Sequence, residues 1–308
     1  MRQISVRPNL FVVGAMKSGT SSLHSYLAEH PSVFMCQPKE PCYFVEPSQL
    51  DWPAIERLGL GGHEERYLAL FRDAGDAVVV GESSTLYTKA PKISGVPERI
   101  ARFSPGARIV YLMRDPVERT VSHYWHAVRD RKETRPLLTA LRDDPHYLDV
   151  SHYAFQIRRY VELFGRERVH LLTLETMRDQ PQEKVSELLA WLGVNPDLVP
   201  EDLRRRRNVT PRRFQRPRGS GRLDRFRYSR VWESFGSHVP GILRSLGRRM
   251  ALRDVHPKQA PGLPEVVDFL RPIQLCQTEA LEGLTGRRFP EWRILHGGGL
   301  PASSDRGF

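Results

Sequence analysis

Leu10-Phe11-Val12-Val13-Gly14-Ala15-Met16-Lys17-Ser18-Gly19-Thr20-Ser21-Ser22-Leu23 is the stretch that decides the fold. Four apolar residues, a loop bounded by glycines and an amphipathic continuation read as strand, tight turn and helix. Backbone N–H groups at such a helix start converge on the turn and favour an anion there. Gly14 and Gly19 have the spacing of a Walker-type loop, yet Thr20 stands where a nucleoside-triphosphatase carries its lysine. The lysine is Lys17, inside the loop. An ATP-handling loop sets its lysine on the terminal phosphates beside a hydroxyl-held magnesium. Lys17 is placed to neutralise a bridging oxygen directly, with no metal. A plain connecting turn would explain the two glycines, but not their coincidence with Lys17, Ser18, Thr20, Ser21 and Ser22.

Working outward, short β-branched runs alternate with amphipathic helical stretches, the signature of β-α units around a mainly parallel sheet. Strands are expected at Leu10–Val13, Val33–Met35, Ala77–Gly81, Arg108–Met113 and Val169–Leu174. Helices are expected at Thr20–His30, Pro97–Phe103, Pro116–Arg129, Tyr153–Phe164 and Gln182–Leu192. The class is α/β, a P-loop-like three-layer fold with a central mainly parallel sheet, in one domain over residues 1–308. A helical pattern resumes weakly around Leu263–Leu284; residues 204–230 read as an arginine-rich loop or lid, and 297–308 as a frayed tail.

Composition bounds the function. Hydrophobic residues at 40% and charged ones at 27% fit a globular chain and exclude wholesale disorder. The apolar run Leu10–Val13 is far short of the roughly 20 residues that span a bilayer, and no signal-peptide core follows the basic start, so a cytoplasmic protein without a membrane span is expected. Cys36, Cys42 and Cys276 are an odd number with no C-x-x-C spacing, which argues against a disulfide framework and a zinc site. The net charge of +11 is concentrated in the run from Arg204 to Arg230. That run has few aromatics beyond Phe214, Phe226 and Tyr228, so it points to a small polyanionic ligand rather than nucleic acid.

A second anchor follows the fourth strand, in Met113-Arg114-Asp115-Pro116-Val117-Glu118-Arg119-Thr120-Val121-Ser122-His123-Tyr124. An arginine at a strand end and a hydroxyl on the next helix can converge on one phosphate. Alone, Arg114 would read as the partner of a nearby acid and Ser122 as a surface serine. Two anchors for two ends of one nucleotide are harder to dismiss.

Together the two segments resemble the nucleotide-binding motifs of sulfotransferases that use 3′-phosphoadenylyl sulfate, nearest the glycan (heparan-type) and bacterial members. The resemblance implies that Lys17, Ser18, Gly19, Thr20, Ser21 and Ser22 hold the 5′-phosphosulfate, and that Arg114 and Ser122 hold the 3′-phosphate. Pro38-Lys39-Glu40-Pro41-Cys42-Tyr43-Phe44 resembles the K-E-x-x-[FY]-[FY] stretch of the glycan subgroup, whose glutamate is taken as general base. On that likeness Lys17 and Glu40 are catalytic, with His24 and His123 as competing bases. Lys39, Glu82, Ser83 and Tyr87 are expected at the acceptor, which is a small molecule or glycan offering a hydroxyl or amine. Arg212, in the late basic loop, is expected on the cofactor, although the heparan-type K-G-R signature is missing. The product would be adenosine 3′,5′-bisphosphate.

Two other readings stay open from the residues. A P-loop nucleotide or small-molecule kinase is disfavoured by Thr20 and by Arg114 where a magnesium carboxylate would stand. A non-catalytic polyanion-binding module built on the arginine run would have no use for Lys17 or Glu40.

Overall fold

The computed structural model describes residues 6–201, 203 and 262–298, with the backbone of 214–217 and 252–255. Its sheet is built from β1 (Leu10–Gly14), β2 (Val33–Met35), β3 (Val79–Ser83), β4 (Arg108–Met113) and β5 (Val169–Thr173) in the order β2-β3-β1-β4-β5. All four pairings are parallel, with Leu10 opposite both Gly81 and Arg108, and Ile109 opposite Val169. The anticipated parallel sheet is therefore present, and every strand in it is parallel.

Side-chain alternation along the strands divides the core into two layers. Phe11 and Val13 of β1, with Ile109, Tyr111 and Met113 of β4, face one side. There they meet α2 (Val96–Phe103), α3 (Pro116–Arg129), α4 (Tyr153–Phe164) and α6 (Leu263–Thr285) through Ile100, Val117, Ile157 and Leu270. Leu10 and Val12, with Val110 and Leu112, face the other side, where Leu23 and Leu27 of α1 (Thr20–Ala28) and Val185 and Leu188 of α5 (Pro181–Trp191) cover them. Burial of each such side chain contributes ~1.5–3 kcal/mol, so the inner strands have no polar edge to offer and ligands are left the carboxyl ends.

Local chemistry sets the boundaries. Pro116 opens α3 and Asp115 caps it, its Oδ1 accepting from Val117 N at 3.0 Å and Glu118 N at 3.3 Å. β3 runs two residues later than the pattern suggested because Val79–Gly81 pairs with Val33–Met35 while Gly81–Ser83 pairs with Leu10–Val12. β5 stops at Thr173, whose hydroxyl caps the short helix Leu174–Asp179.

Beyond α6 the chain returns to the core: Phe289, Trp292 and Leu295 are fully buried, and Ile294 N and Leu295 N donate to Asp115 Oδ2 at 2.9 and 3.0 Å. Strands Phe214–Pro217 and Leu252–Val255 form an antiparallel pair, the first lying against α3. Apart from Phe214–Pro217, the arginine-rich stretch 204–230 lies outside the described residues, as do residues 299–308 of the expected tail. Among the described residues no helix is long and apolar enough to cross a membrane.

Candidate active site

β1 and β4 are neighbours at the centre of the sheet, so the loop after each opens at the same carboxyl edge. The first loop is shaped by close contact. A side chain at Gly14 would place its Cβ 2.1 Å from Thr88 Oγ1, the hydroxyl that donates to Val13 O at 2.8 Å. Gly19 has φ 95° and packs against Leu174 so tightly that a Cβ would lie 2.8 Å from its Cδ1. Both positions demand glycine. Gly19 then starts α1, its carbonyl accepting from Ser22 N at 3.0 Å and Leu23 N at 3.2 Å; a helix start of this kind turns its earliest N–H groups toward the preceding loop. Ser18 is fully buried, and among the described residues its Oγ has no hydrogen-bond partner. A buried hydroxyl without a partner costs free energy unless something enters to meet it.

Lys17 adopts φ 70° and makes no ion pair among the described residues. Its burial, then the charges of Arg129 and Arg114, bring it down to about 8, against the opposing pull of Asp130. Arg114 and Arg129 are paired with Glu118 and Asp130, so Lys17 is the cation of this group that an incoming anion would relieve most.

Arg114, 4% exposed at the end of β4, donates from Nε and Nη2 to Glu118 Oε2 at 3.0 and 2.8 Å. The pairing with a neighbouring acid is thus real, and it fixes the guanidinium at the cleft wall. Ser122, two turns along α3, lines the same cleft. Fully buried Arg119 braces α3 from behind, donating to Ser151 Oγ and Tyr147 O. Asp115 has both oxygens committed, Oδ1 to the start of α3 and Oδ2 to Ile294 N and Leu295 N. The acid of this Arg-Asp-Pro turn is a structural clasp, and is not offered to a magnesium ion.

The second wall carries Lys39 and Glu40. Glu40 has φ 64° and Cys42 φ 52°, a left-handed path that non-glycine residues adopt only when surroundings enforce it. The enforcement comes from β3 and the turn after it. Glu40 N donates to Ser83 O at 3.0 Å, Cys42 N to Ser84 Oγ at 3.1 Å and Phe44 N to Tyr87 Oη at 3.3 Å. Tyr43 stacks on Tyr67, ring centroids 4.1 Å apart. The Glu40 carboxylate accepts from Thr85 N at 2.6 Å, from Thr85 Oγ1 and from Lys39 Nζ.

Glu82, Ser83 and Tyr87 do not face the cleft, contrary to the expectation that they touch an acceptor. Glu82 is fully buried, and its carboxyl receives the hydroxyls of Tyr67 at 2.6 Å, Ser84 at 2.7 Å and Tyr87 at 2.9 Å. Because a carboxylate only accepts, it turns the lone pairs of Ser84 and Tyr87 toward Cys42 N and Phe44 N. Burial pushes Glu82 up to about 7, against the three hydroxyls that favour its charged form. These residues are the support beneath Glu40, and their neighbours Thr85, Leu86 and Lys89 form the wall.

The resulting cleft, about 1590 Å³ as bordered by described residues, exceeds the ~300–1,000 Å³ of an ordinary single-ligand pocket. Lys17, Gly19, Thr20, Ser21, Ser22, Lys39, Glu40, Arg114 and Ser122 all line it. Of the competing bases, His123 lines the cleft, where burial and the charge of Arg119 hold it well below the usual imidazole range. His24, a buried residue of α1, is bonded to Ser83 Oγ at 2.9 Å and does not line the cleft. Arg212 lies outside the described residues. Lys89, His126, Arg129 and Trp52 also line the cleft, and no local motif pointed to them. Among the described residues no group of three or more His, Cys, Asp or Glu is placed to hold a metal ion.

Comparison with known proteins bears on the fold and the family. The solved sulfotransferase from Alicyclobacillus acidocaldarius is 27% identical and superposes with a TM-score of 0.66 over 94% of this chain and 99% of its own. The membrane-associated sulfotransferase kil1 of Dictyostelium discoideum is 31% identical over 134 residues, 42% of this chain and 26% of that protein. The bifunctional heparan sulfate N-deacetylase/N-sulfotransferase 2 of Bos taurus is 23% identical over 208 residues, 62% of this chain and 22% of that protein. The matches thus cover about a quarter of the length of these two relatives. The model of the sulfotransferase family matches residues 8–197, which include both anchors and the Lys39-Glu40 segment. With nearly two thirds of its length inside that match, this chain belongs to the sulfotransferase family.

Proposed function

We propose that the protein moves a sulfuryl group from 3′-phosphoadenylyl sulfate to a hydroxyl or amine of an acceptor, a small molecule or a glycan. The observation that carries the reading is one cleft lined by Lys17, which makes no ion pair among the described residues, and by the start of α1 at Gly19, Thr20, Ser21 and Ser22. Arg114 and Ser122 stand on a second element of the same cleft. These donors fit a nucleotide with two separate phosphate groups better than one with a single polyphosphate chain. When bound, 3′-phosphoadenylyl sulfate supplies the sulfuryl group and a bisphosphate leaving group. Lys17 and the N–H groups of the Ser18–Ser21 turn neutralise charge on the 5′ side, and Arg114 with Ser122 holds the 3′ side. Glu40, fixed by Thr85 and Lys39, takes the proton from the attacking oxygen or nitrogen. The chain's contribution is placement and preorganised charge.

The likeness to a heparan sulfate N-deacetylase/N-sulfotransferase, 23% identical over 208 residues, favours a glycan among the acceptors. Thermal unfolding tests the donor reading. A ligand held only by the folded state raises the melting temperature in proportion to the logarithm of its concentration. Adenosine 3′,5′-bisphosphate should do so for the wild type and much less for Lys17→Ala. No rise at millimolar nucleotide would sink the reading.

A further inference from the structure

Two stripes of side chains run along α3. Glu118 and Ser122, one turn apart, share the first, and Glu118 holds the Arg114 guanidinium at 3.0 and 2.8 Å. This stripe carries the residues assigned to the 3′-phosphate. Arg119 and His123 share the next, turned from it by roughly 100°. It packs against the short helix His146–Asp149, where the His123 ring meets those of His146 and Tyr147 edge-on, centroids 5.4 and 4.9 Å apart. Tyr147 is held in turn by its hydroxyl, which donates to Glu133 Oε2 at 3.1 Å. His123, His146 and Tyr147 all line the cleft.

Arg119 fixes which nitrogen of His123 carries the proton. Burial brings Arg119 down to about 10, so it is charged at neutral pH, and a guanidinium only donates. Its Nη1 lies 3.4 Å from His123 Nδ1, which must therefore offer a lone pair. The rest of that guanidinium is committed, Nε to Ser151 Oγ and Nη2 to Tyr147 O and Thr120 Oγ1, which holds it in place. In the neutral ring the proton is then on Nε2, an atom with no hydrogen bond among the described residues. Shifting the proton to Nδ1 would set two N–H groups against each other. Adding a second proton would put an imidazolium against a buried cation, and the other groups whose charge bears most on the ring, Lys89, His146 and His126, include no acid. We propose that His123 serves the transfer as a hydrogen-bond donor and not as a base, its Nε2–H offered to an oxygen of the acceptor, with Arg119 as the positioning residue that fixes this form. The inference rests on the sulfotransfer reading and leaves Glu40 as the base.

Nitrogen-15 NMR of the whole chain, labelled at its 11 histidines, tests this, with His123→Gln identifying the His123 signals. The ring should show a proton on Nε2 and a bare Nδ1, unchanged from about pH 5 to 8, with and without adenosine 3′,5′-bisphosphate. A proton on Nδ1, or a second proton taken up with a midpoint above about pH 6, overturns the inference. Calorimetry separates the acceptor from the nucleotide. Adenosine 3′,5′-bisphosphate affinity should stay within about threefold in His123→Leu and His123→Gln, which also reports that both are folded. Weakening beyond that in His123→Leu but not in His123→Gln, which keeps a donor, would place Nε2–H on the nucleotide and overturn the inference. Sulfuryl transfer remaining in Glu40→Gln should persist when His123→Gln is added. Its further loss, by the roughly 10²–10⁴-fold of a missing base, would overturn the inference as well. Failure of the wild type to bind the bisphosphate would reject the donor reading, and the acceptor role of His123 with it, whatever the tautomer.

Discussion

Removing the Arg114 side chain should separate the two phosphate ends of the nucleotide. In the structure its Nε and Nη2 hold Glu118 Oε2 at 3.0 and 2.8 Å, with side-chain exposures of 5% and 12%. Arg114→Ala therefore does two things. It deletes the charged donor for a 3′-phosphate, and it strands a carboxylate beside the place that phosphate would occupy. Truncating one partner of a buried charge pair costs on the order of 2–4 kcal/mol in binding, about 30- to 700-fold in affinity. The stranded Glu118 adds repulsion to the binding loss and destabilises the fold, by up to ~3–5 kcal/mol for a buried pair that is broken. The double variant Arg114→Ala with Glu118→Gln removes that second effect, so its loss of affinity belongs to the guanidinium. Calorimetric titration should show adenosine 3′,5′-bisphosphate weakened about 30- to 700-fold in the double variant, and more in the single one. Adenosine 5′-phosphate should change by no more than about threefold, since it has no 3′-phosphate to lose. Equal weakening of both nucleotides would refute the assignment of Arg114 to the 3′ end.

Further outcomes follow from the same geometry. Glu40→Gln should lower sulfuryl transfer roughly 10²–10⁴-fold while leaving adenosine 3′,5′-bisphosphate affinity within a few-fold. Near-normal turnover would move the base elsewhere, with His123 the next residue to replace. Lys17, lowered to about 8 by burial and by Arg129 and Arg114, is charged below that pH and loses its proton above it. Nucleotide affinity should thus be flat near neutrality and decline above about pH 8, up to tenfold per unit, and Lys17→Arg should remove the decline; a profile unchanged by Lys17→Arg would contradict this. Glu82 rises from 4.5 to about 7 in the fold, so the native state holds the extra proton between those values. Its contribution to stability should fall as pH climbs through that window, by a few kcal/mol at most. Chemical denaturation of wild type and Glu82→Gln from pH 4.5 to 7 would show the difference, and parallel curves would show that Glu82 does not titrate there.

The sheet and its flanking helices were legible because their signals are local. Leu10–Val13 and Ile109–Met113 are continuous apolar runs, and Asp115-Pro116 writes a helix start in the chain itself. The shape of the first loop was legible for the same reason, since Gly14 and Gly19 act within one turn. What was not legible depends on contacts between distant segments. Nothing around Glu82 shows that three hydroxyls converge on it beneath the sheet edge, so an acid at a strand end read as an acceptor contact. Lys89, His126 and Arg129 reach one cleft only after α3 and the segment following β3 have packed. The turn at Trp292–Leu295 carries no local sign of its anchor, yet two of its N–H groups are held by Asp115, some 180 residues earlier.

The proposed donor requires a cleft that takes a nucleotide with phosphates at both its 3′ and 5′ positions. The most direct measurement is competitive calorimetry of adenosine 3′,5′-bisphosphate against ATP, each with and without magnesium. The account predicts that the bisphosphate binds without magnesium, more tightly than adenosine 5′-phosphate, and that ATP at equal concentration does not displace it. Tighter binding of magnesium-ATP, or no binding of the bisphosphate, would contradict it.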